Sequence, residues 1–184
     1  MFLERYLFVL PIGLFSRFRV LLYKLLGMQL GDKNRFEGGR CRRLTQIKIG
    51  NNNAFTKGFM LWPLDDVYNS TRIEIGDNNY FNRNLMLDAC GSIKIGNNNM
   101  FGPDIYITDS NHQFGMGIIP SKEPMQSGEV KIGDFCWIGA KAIILKDVQL
   151  GDYCVVAAGA VVTKSFPAGS IVAGVPAKLL KRII

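Results

Sequence analysis

From residue 28 onward the large apolar residues recur at every sixth position. The series run Ile75, Phe81, Leu87; Ile95, Phe101, Ile107; Ile132, Ile138, Ile144; and Leu150, Val156, Val162. A period of six is neither the helical 3.6 nor the period of 2 of a lone strand. It predicts three short strands per turn of a coil, each placing one large side chain inward, with successive turns pairing as parallel strands ~4.8 Å apart. An aliphatic–Gly pair opens each turn: Leu30-Gly31, Ile49-Gly50, Ile75-Gly76, Ile95-Gly96, Ile132-Gly133 and Leu150-Gly151. The intervals are 19, 26, 20, 37 and 18 residues, so each is eighteen plus an insertion of 1, 8, 2, 19 or 0. Self-similarity at such a period marks a solenoid.

The fourth residue after the aliphatic sharpens this prediction. Asn53, Asn79 and Asn99 share that phase, and one turn apart they would stack as an amide ladder. Cys136 and Cys154 occupy the same phase, with Ala142 and Ala160 in the equivalent place on the following strand. They read as small inward residues of a narrow prism, with a disulfide between stacked turns as the alternative.

Residues 1–27, MFLERYLFVLPIGLFSRFRVLLYKLLG, follow another pattern. The longest uncharged run, Tyr6–Ser16, falls short of the ~20 residues a bilayer core requires. Pro11 and Gly13 interrupt it, which predicts a helix to about Leu10 and a second from about Leu14 to Leu26, ended by Gly27. Arg17, Arg19 and Lys24 sit among Phe15, Phe18, Leu21, Leu22 and Leu25. Such a segment can cap the domain, lie on an anionic membrane, or do both. The organisation expected is a helical segment over 1–27 and one coiled domain over 28–184, interrupted by a loop over 108–131.

Charge narrows the partners. The 184 residues carry 22 Lys+Arg and 15 Asp+Glu, net +7. Residues 1–43 are net +6, 44–163 net −3 and 164–184 net +4. A nucleic-acid binder would carry its basic stripe through the body, so nucleic acid is not expected. Anionic lipid at one end and a small phosphorylated ligand at the other fit better. His112 is the one histidine, which excludes a multi-histidine metal site, zinc hydration chemistry included. No cleavage site follows the first apolar run, so a cytoplasmic location is expected, with peripheral contact at the inner membrane face through residues 1–27.

Three stretches go beyond a generic repeat: Asp109-Ser-Asn-His112, Trp137-Ile-Gly-Ala140, and Val162-Thr-Lys164 followed by Ala173-Gly-Val-Pro-Ala-Lys178. With the repeated [LIV]-G-x-x-small-x pattern, residues 30–184 resemble the hexapeptide-repeat acyltransferases. The order and spacing look like the galactoside/maltose acetyltransferase group, and the loop text looks closest to its O-antigen and capsular polysaccharide O-acetyltransferase branch. The resemblance implies an all-β, left-handed parallel β-helix with a short N-terminal helical segment and a long catalytic loop. It also implies a homotrimer with sites between subunits.

The loop chemistry agrees. An alcohol is a poor nucleophile at neutral pH and needs a base, and imidazole suits that task. His112 heads the longest insertion and matches the family's catalytic histidine. Asp109 is either a turn former or an imidazole-orienting carboxylate. By resemblance the Ala140 N–H serves the oxyanion, Asn82, Asp88 and Met125 approach the acceptor, and acetyl-coenzyme A is the donor, with no metal. Trp137, Gly139, Ala157 and Ala158 would line the pantetheine channel, and Thr163, Lys164, Lys178 and Lys181 would meet the coenzyme's polar end. Asn82 also reads as a plain turn residue, Trp137 as an exposed trimer contact, and Lys181 with Arg182 as a solvated tail.

The function expected is acetyl transfer to a sugar hydroxyl in surface polysaccharide biosynthesis, free or lipid-linked, by direct attack with His112 as base. The competing readings are transfer to an amino sugar, serine or antibiotic, and a non-catalytic β-helix scaffold.

Overall fold

A computed structural model describes residues 10–64 and 70–183. The six-residue period becomes a coil of triangular section. Face one holds Gln29–Leu30, Ile47–Ile49, Ile73–Ile75, Ser92–Ile95, Glu129–Ile132 and Gln149–Leu150. Face two holds Arg35–Phe36, Ala54–Phe55, Tyr80–Phe81, Met100–Phe101, Trp137–Ile138, Val155–Val156 and Ser170–Ala173. Face three holds Gly39–Cys41, Phe59–Pro63, Met86–Ala89, Tyr106–Thr108, Ile143–Ile144 and Val161–Val162. Neighbouring turns pair in parallel with the phase read from the sequence: Ile75 on Ile95, Phe81 on Phe101, Leu87 on Ile107. One strand the repeat does not announce, Lys178–Arg182, turns back antiparallel on Ser170–Ala173 and closes the last turn.

All twelve residues of the six-residue series are buried. On face two the interior is an aromatic column, Phe36, Phe55, Phe81 and Phe101, with successive ring centroids 4.8, 4.4 and 4.7 Å apart. Above Phe101 it continues as Ile138, Val156 and Val172, all buried.

The amide ladder forms along the edge between faces one and two. Asn53 Oδ1 accepts from the backbone N and Nδ2 of Asn79 at 2.9 and 3.0 Å, Asn79 Oδ1 from the N of Asn99, and Asn99 Oδ1 from the N of Cys136. It starts one turn earlier, at Asn34, whose Oδ1 accepts from the N of Asn53. Cys136 and Cys154 prolong the column as buried free thiols, not a disulfide. The residue before each ladder Asn has φ near +60°: Lys33 before Asn34, and Asn52, Asn78 and Asn98 before the other three, a conformation Asn tolerates better than most residues. GNNN is thus both a turn and a ladder rung.

The N-terminal helix, α1 (Leu10–Leu25), departs from the sequence expectation. It runs unbroken through Pro11 and Gly13 because Pro11 falls in its first turn, where the backbone N–H lacks an intrahelical partner in any case. The expected preceding helix lies outside the described residues. α1 covers the first turn: Ser16 is buried and its Oγ accepts from the N of Phe36, and the Tyr23 ring meets Phe36 edge-on.

The insertions have a common location. The strands on face three and the next strands on face one are six residues apart in phase only between Ile144 and Leu150. Every longer connection, including 64–72 and 109–128, crosses the edge between these two faces.

Candidate active site

Two edges of the prism carry the predicted chemistry. On the edge between faces three and one, the long insertion leaves the coil as an antiparallel stem, with Ser110 opposite Ser127 and Asn111 opposite Gln126. His112 is the first residue beyond that stem and is exposed. Its Nδ1 lies 3.2 Å from the carbonyl oxygen of Pro120. A carbonyl can only accept, so in the neutral ring this contact puts the hydrogen on Nδ1 and the lone pair on Nε2. Gln113 Nε2 donates to the carbonyl of Pro124 at 2.9 Å and ties down the same loop.

Asp109 is not the group that orients this ring. It is wholly buried, and its oxygens accept from the N of Cys90 at 2.7 Å and of Gly91 at 2.9 Å. Burial pushes its carboxyl up to about 6, against the pull of these backbone donors and of Ser92. Its own carbonyl accepts from the N of Gly128 at 2.7 Å, so it clamps the foot of the loop to the turn below. Asp88 lies beside it on face three. Asp88 Oδ2 accepts from the Tyr106 hydroxyl at 3.0 Å, whereas the buried Oδ1 has no partner among the described residues. Met125 is half-buried near the end of the insertion.

On the edge between faces two and three a groove of about 520 Å³ is lined by Gly102, Pro103, Trp137, Gly139, Ala140, Val155, Val156, Ala157 and Ala158. It brings together five of the predicted coenzyme and oxyanion residues. The backbone N–H groups of Ala140 and Ala158 donate to no other group among the described residues. Small residues keep them open. A Cβ on Gly102 would stand 2.6 Å from the Ala140 N, and one on Gly139 2.6 Å from the Ala158 N. Gly102 was missed in the sequence, although it holds the same phase as Gly139 and Ala157, each the small residue after a buried core residue.

Asn82 lies on this edge nearer α1. It lines a hollow of about 360 Å³ with Arg35, Glu37, Thr56, Lys57, Tyr80 and Arg83. Lys57 and Arg83, also missed, are separated by the interval that separates Ile49 from Ile75, so the repeat could have placed them together. The structure does not bring every predicted residue to the groove. Thr163 and Lys164 follow face three and stand exposed on the His112 edge, with the Lys164 ammonium 5.8 Å from the Phe166 ring centre. Lys178 and Lys181 are exposed on the closing strand. No residue of the long insertion lines the groove. A larger hollow, about 940 Å³, runs along face one and contains none of the predicted site residues. No group of three or more His, Cys, Asp or Glu able to hold a metal ion occurs among the described residues.

Comparisons with known proteins agree with this architecture. Residues 129–164 match the bacterial transferase hexapeptide (six repeats) family. WbbJ of Escherichia coli (strain K12), a candidate lipopolysaccharide biosynthesis O-acetyl transferase, is 31% identical over 99 residues, covering 50% of each chain. The chain spans about half the length of the curated relatives it matches. Among solved structures, AntD, an N-acyltransferase from Bacillus cereus in complex with dTDP and 3-hydroxybutyryl-CoA, superposes with a TM-score of 0.73 at 20% identity, over 88% of this chain and 87% of that one. Galactoside acetyltransferase in complex with coenzyme A superposes with a TM-score of 0.65 at 24% identity, over 90% of this chain and 70% of that one. The class that repeat and fold define is the left-handed parallel β-helix built from hexapeptide repeats. The particular likeness drawn from the sequence, to acetyltransferases of that class, is borne out by the relatives found.

Proposed function

We propose that the chain is an acetyl-coenzyme-A-dependent O-acetyltransferase acting on a sugar hydroxyl of a surface polysaccharide or its lipid-linked precursor. The carrying observation is the His112 ring, exposed at the end of a paired stem with Nδ1 engaged by the Pro120 carbonyl, which leaves Nε2 to serve as a base. Asp88, half-buried on face three, holds the Tyr106 hydroxyl with Oδ2 beside the foot of the same loop.

The groove fits the thioester arm of the coenzyme. It is narrow and walled by small residues and Trp137, and it offers two free N–H donors. Nε2 takes the hydroxyl proton as the sugar oxygen attacks the thioester carbonyl, and the Ala140 N–H holds the resulting oxyanion. Collapse breaks the carbon–sulfur bond, and the imidazolium returns its proton to the thiolate. Lys178 and Lys181, on an acid-free tail, suit the coenzyme phosphates as point charges.

The imidazole and the groove occupy different edges of one prism, so a second copy completes the site. The exposed Phe114, Met116 and Ile119 of the insertion supply an apolar surface for that copy to cover. A closed ring of three copies meets these requirements.

The test is an acceptor panel: purified chain, acetyl-coenzyme A, and free saccharides, lipid-linked saccharides, amino sugars and serine. Thiol release with a base-labile acetyl ester on a saccharide is expected. A base-stable amide product would move the acceptor to an amine, and absence of coenzyme binding would leave a scaffold.

A further inference from the structure

We propose that α1 seats the protein on an anionic membrane surface, lying in the headgroup plane with its apolar stripe inserted. The proposal rests on the N-terminal end of the prism and stands apart from the catalytic reading.

α1 packs on the first turn through Ser16, Val20 and Tyr23. Arg19 fixes its roll by donating to the carbonyls of Phe36 and Glu37 at 3.3 and 3.1 Å. At ~100° per residue, Leu14, Phe15, Phe18, Leu21, Leu22 and Leu25 fall in one arc of about 120°, directly opposite that packed side. They are between 38% and 75% exposed, far more than a helix packed on its own domain needs to show. Arg17 and Lys24 border the arc on one side and Arg19 on the other. The helix contains no acidic residue, and Lys24 is bridged only to the exposed Asp32.

Beside the helix a hollow of about 470 Å³ is lined by Gly13, Ser16, Arg17, Val20, Lys33, Asn34 and Arg35, with three cations and no acid. That composition suits a lipid phosphate. The sixteen described residues of α1 span ~24 Å and carry Arg17, Arg19 and Lys24, charges that lying in the headgroup plane keeps out of the ~30 Å hydrocarbon core. Among the described residues no helix is long and apolar enough to cross. Charge selects the occupant. A second copy laid on the stripe would bring two rows of arginine and lysine together, whereas anionic headgroups neutralise the row. Arg35 lines both this hollow and the one containing Asn82, so a membrane-held α1 sets the Asn82 hollow near headgroup level.

The experiment is vesicle flotation of the full chain, with phosphatidylcholine vesicles alone or with about 30% phosphatidylglycerol, at low and high salt. Binding at least ~tenfold stronger to the anionic vesicles, and released by salt, is expected. Phe15→Ser with Phe18→Ser, and separately Arg17→Glu, should each weaken flotation about tenfold while melting curves stay unchanged. Should the serine pair unfold, Arg17→Glu alone decides. Equal binding to neutral vesicles, no binding to either, or variants that float like wild type would overturn the proposal. Loss of an oligomer in the serine pair without loss of flotation would assign the stripe to a second copy and overturn it too.

Discussion

In the proposed reaction His112 would act through Nε2, because Nδ1 is engaged by the carbonyl of Pro120, eight residues further along the same loop. Because the ring is exposed, His112→Ala should cut turnover ~10²–10⁴-fold, the usual worth of a positioned base, while the thermal midpoint stays put. Turnover within a factor of a few of wild type would exclude the imidazole as base. Asp109 makes the opposite kind of contribution. Its folded carboxyl titrates at about 6, against an ordinary value of 3.8. The native state therefore holds a proton that the unfolded chain has already lost, and stability falls as pH rises from about 4 to about 6. Asp109→Asn mimics the protonated form. The stability difference, wild type minus variant, should shrink over that window by up to ~3 kcal/mol in urea titrations. A difference independent of pH would mean that the buried carboxyl does not titrate there.

Among the elements, the amide ladder binds one turn to the next where the strands are only two to four residues long. Asn79 receives from Asn99, donates to Asn53 and to the carbonyl of Gly96, and is buried. Asn79→Ala strands these partners without water and should cost ~2–4 kcal/mol of stability, measured by chemical denaturation. This column, the face assignments and the inward residues were legible because each depends on one residue type at one phase. The groove residues Gly139, Ala140, Ala157 and Ala158 were legible through the family resemblance, and the repeat is what holds these small residues in register. The Pro120 contact was not, since a carbonyl carries no side-chain signature and the loop obeys no period. Nor was the antiparallel closing strand, because Lys178–Arg182 breaks the six-residue spacing. Pro11 misled for a positional reason, as the same residue stops a helix from within and is welcome in its first turn.

For the molecule as a whole, the His112 ring and the groove lie on different edges, and under the proposed reaction this makes a prediction about mixtures. His112→Ala and Gly139→Val should each be nearly inactive alone, the second because a side chain at 139 collides with Ala158 N. Co-expressed in equal amounts, they should regain roughly a quarter of wild-type activity if copies mix at random around a ring. No recovery would place the whole site within one chain. Insertion is confined to a single edge of the coil, and that edge carries the imidazole. The chain can therefore be lengthened or rewritten there without moving a strand elsewhere. If the proposed reaction holds, preference for one acceptor over another can drift, loop by loop, while the groove on another edge is inherited unaltered.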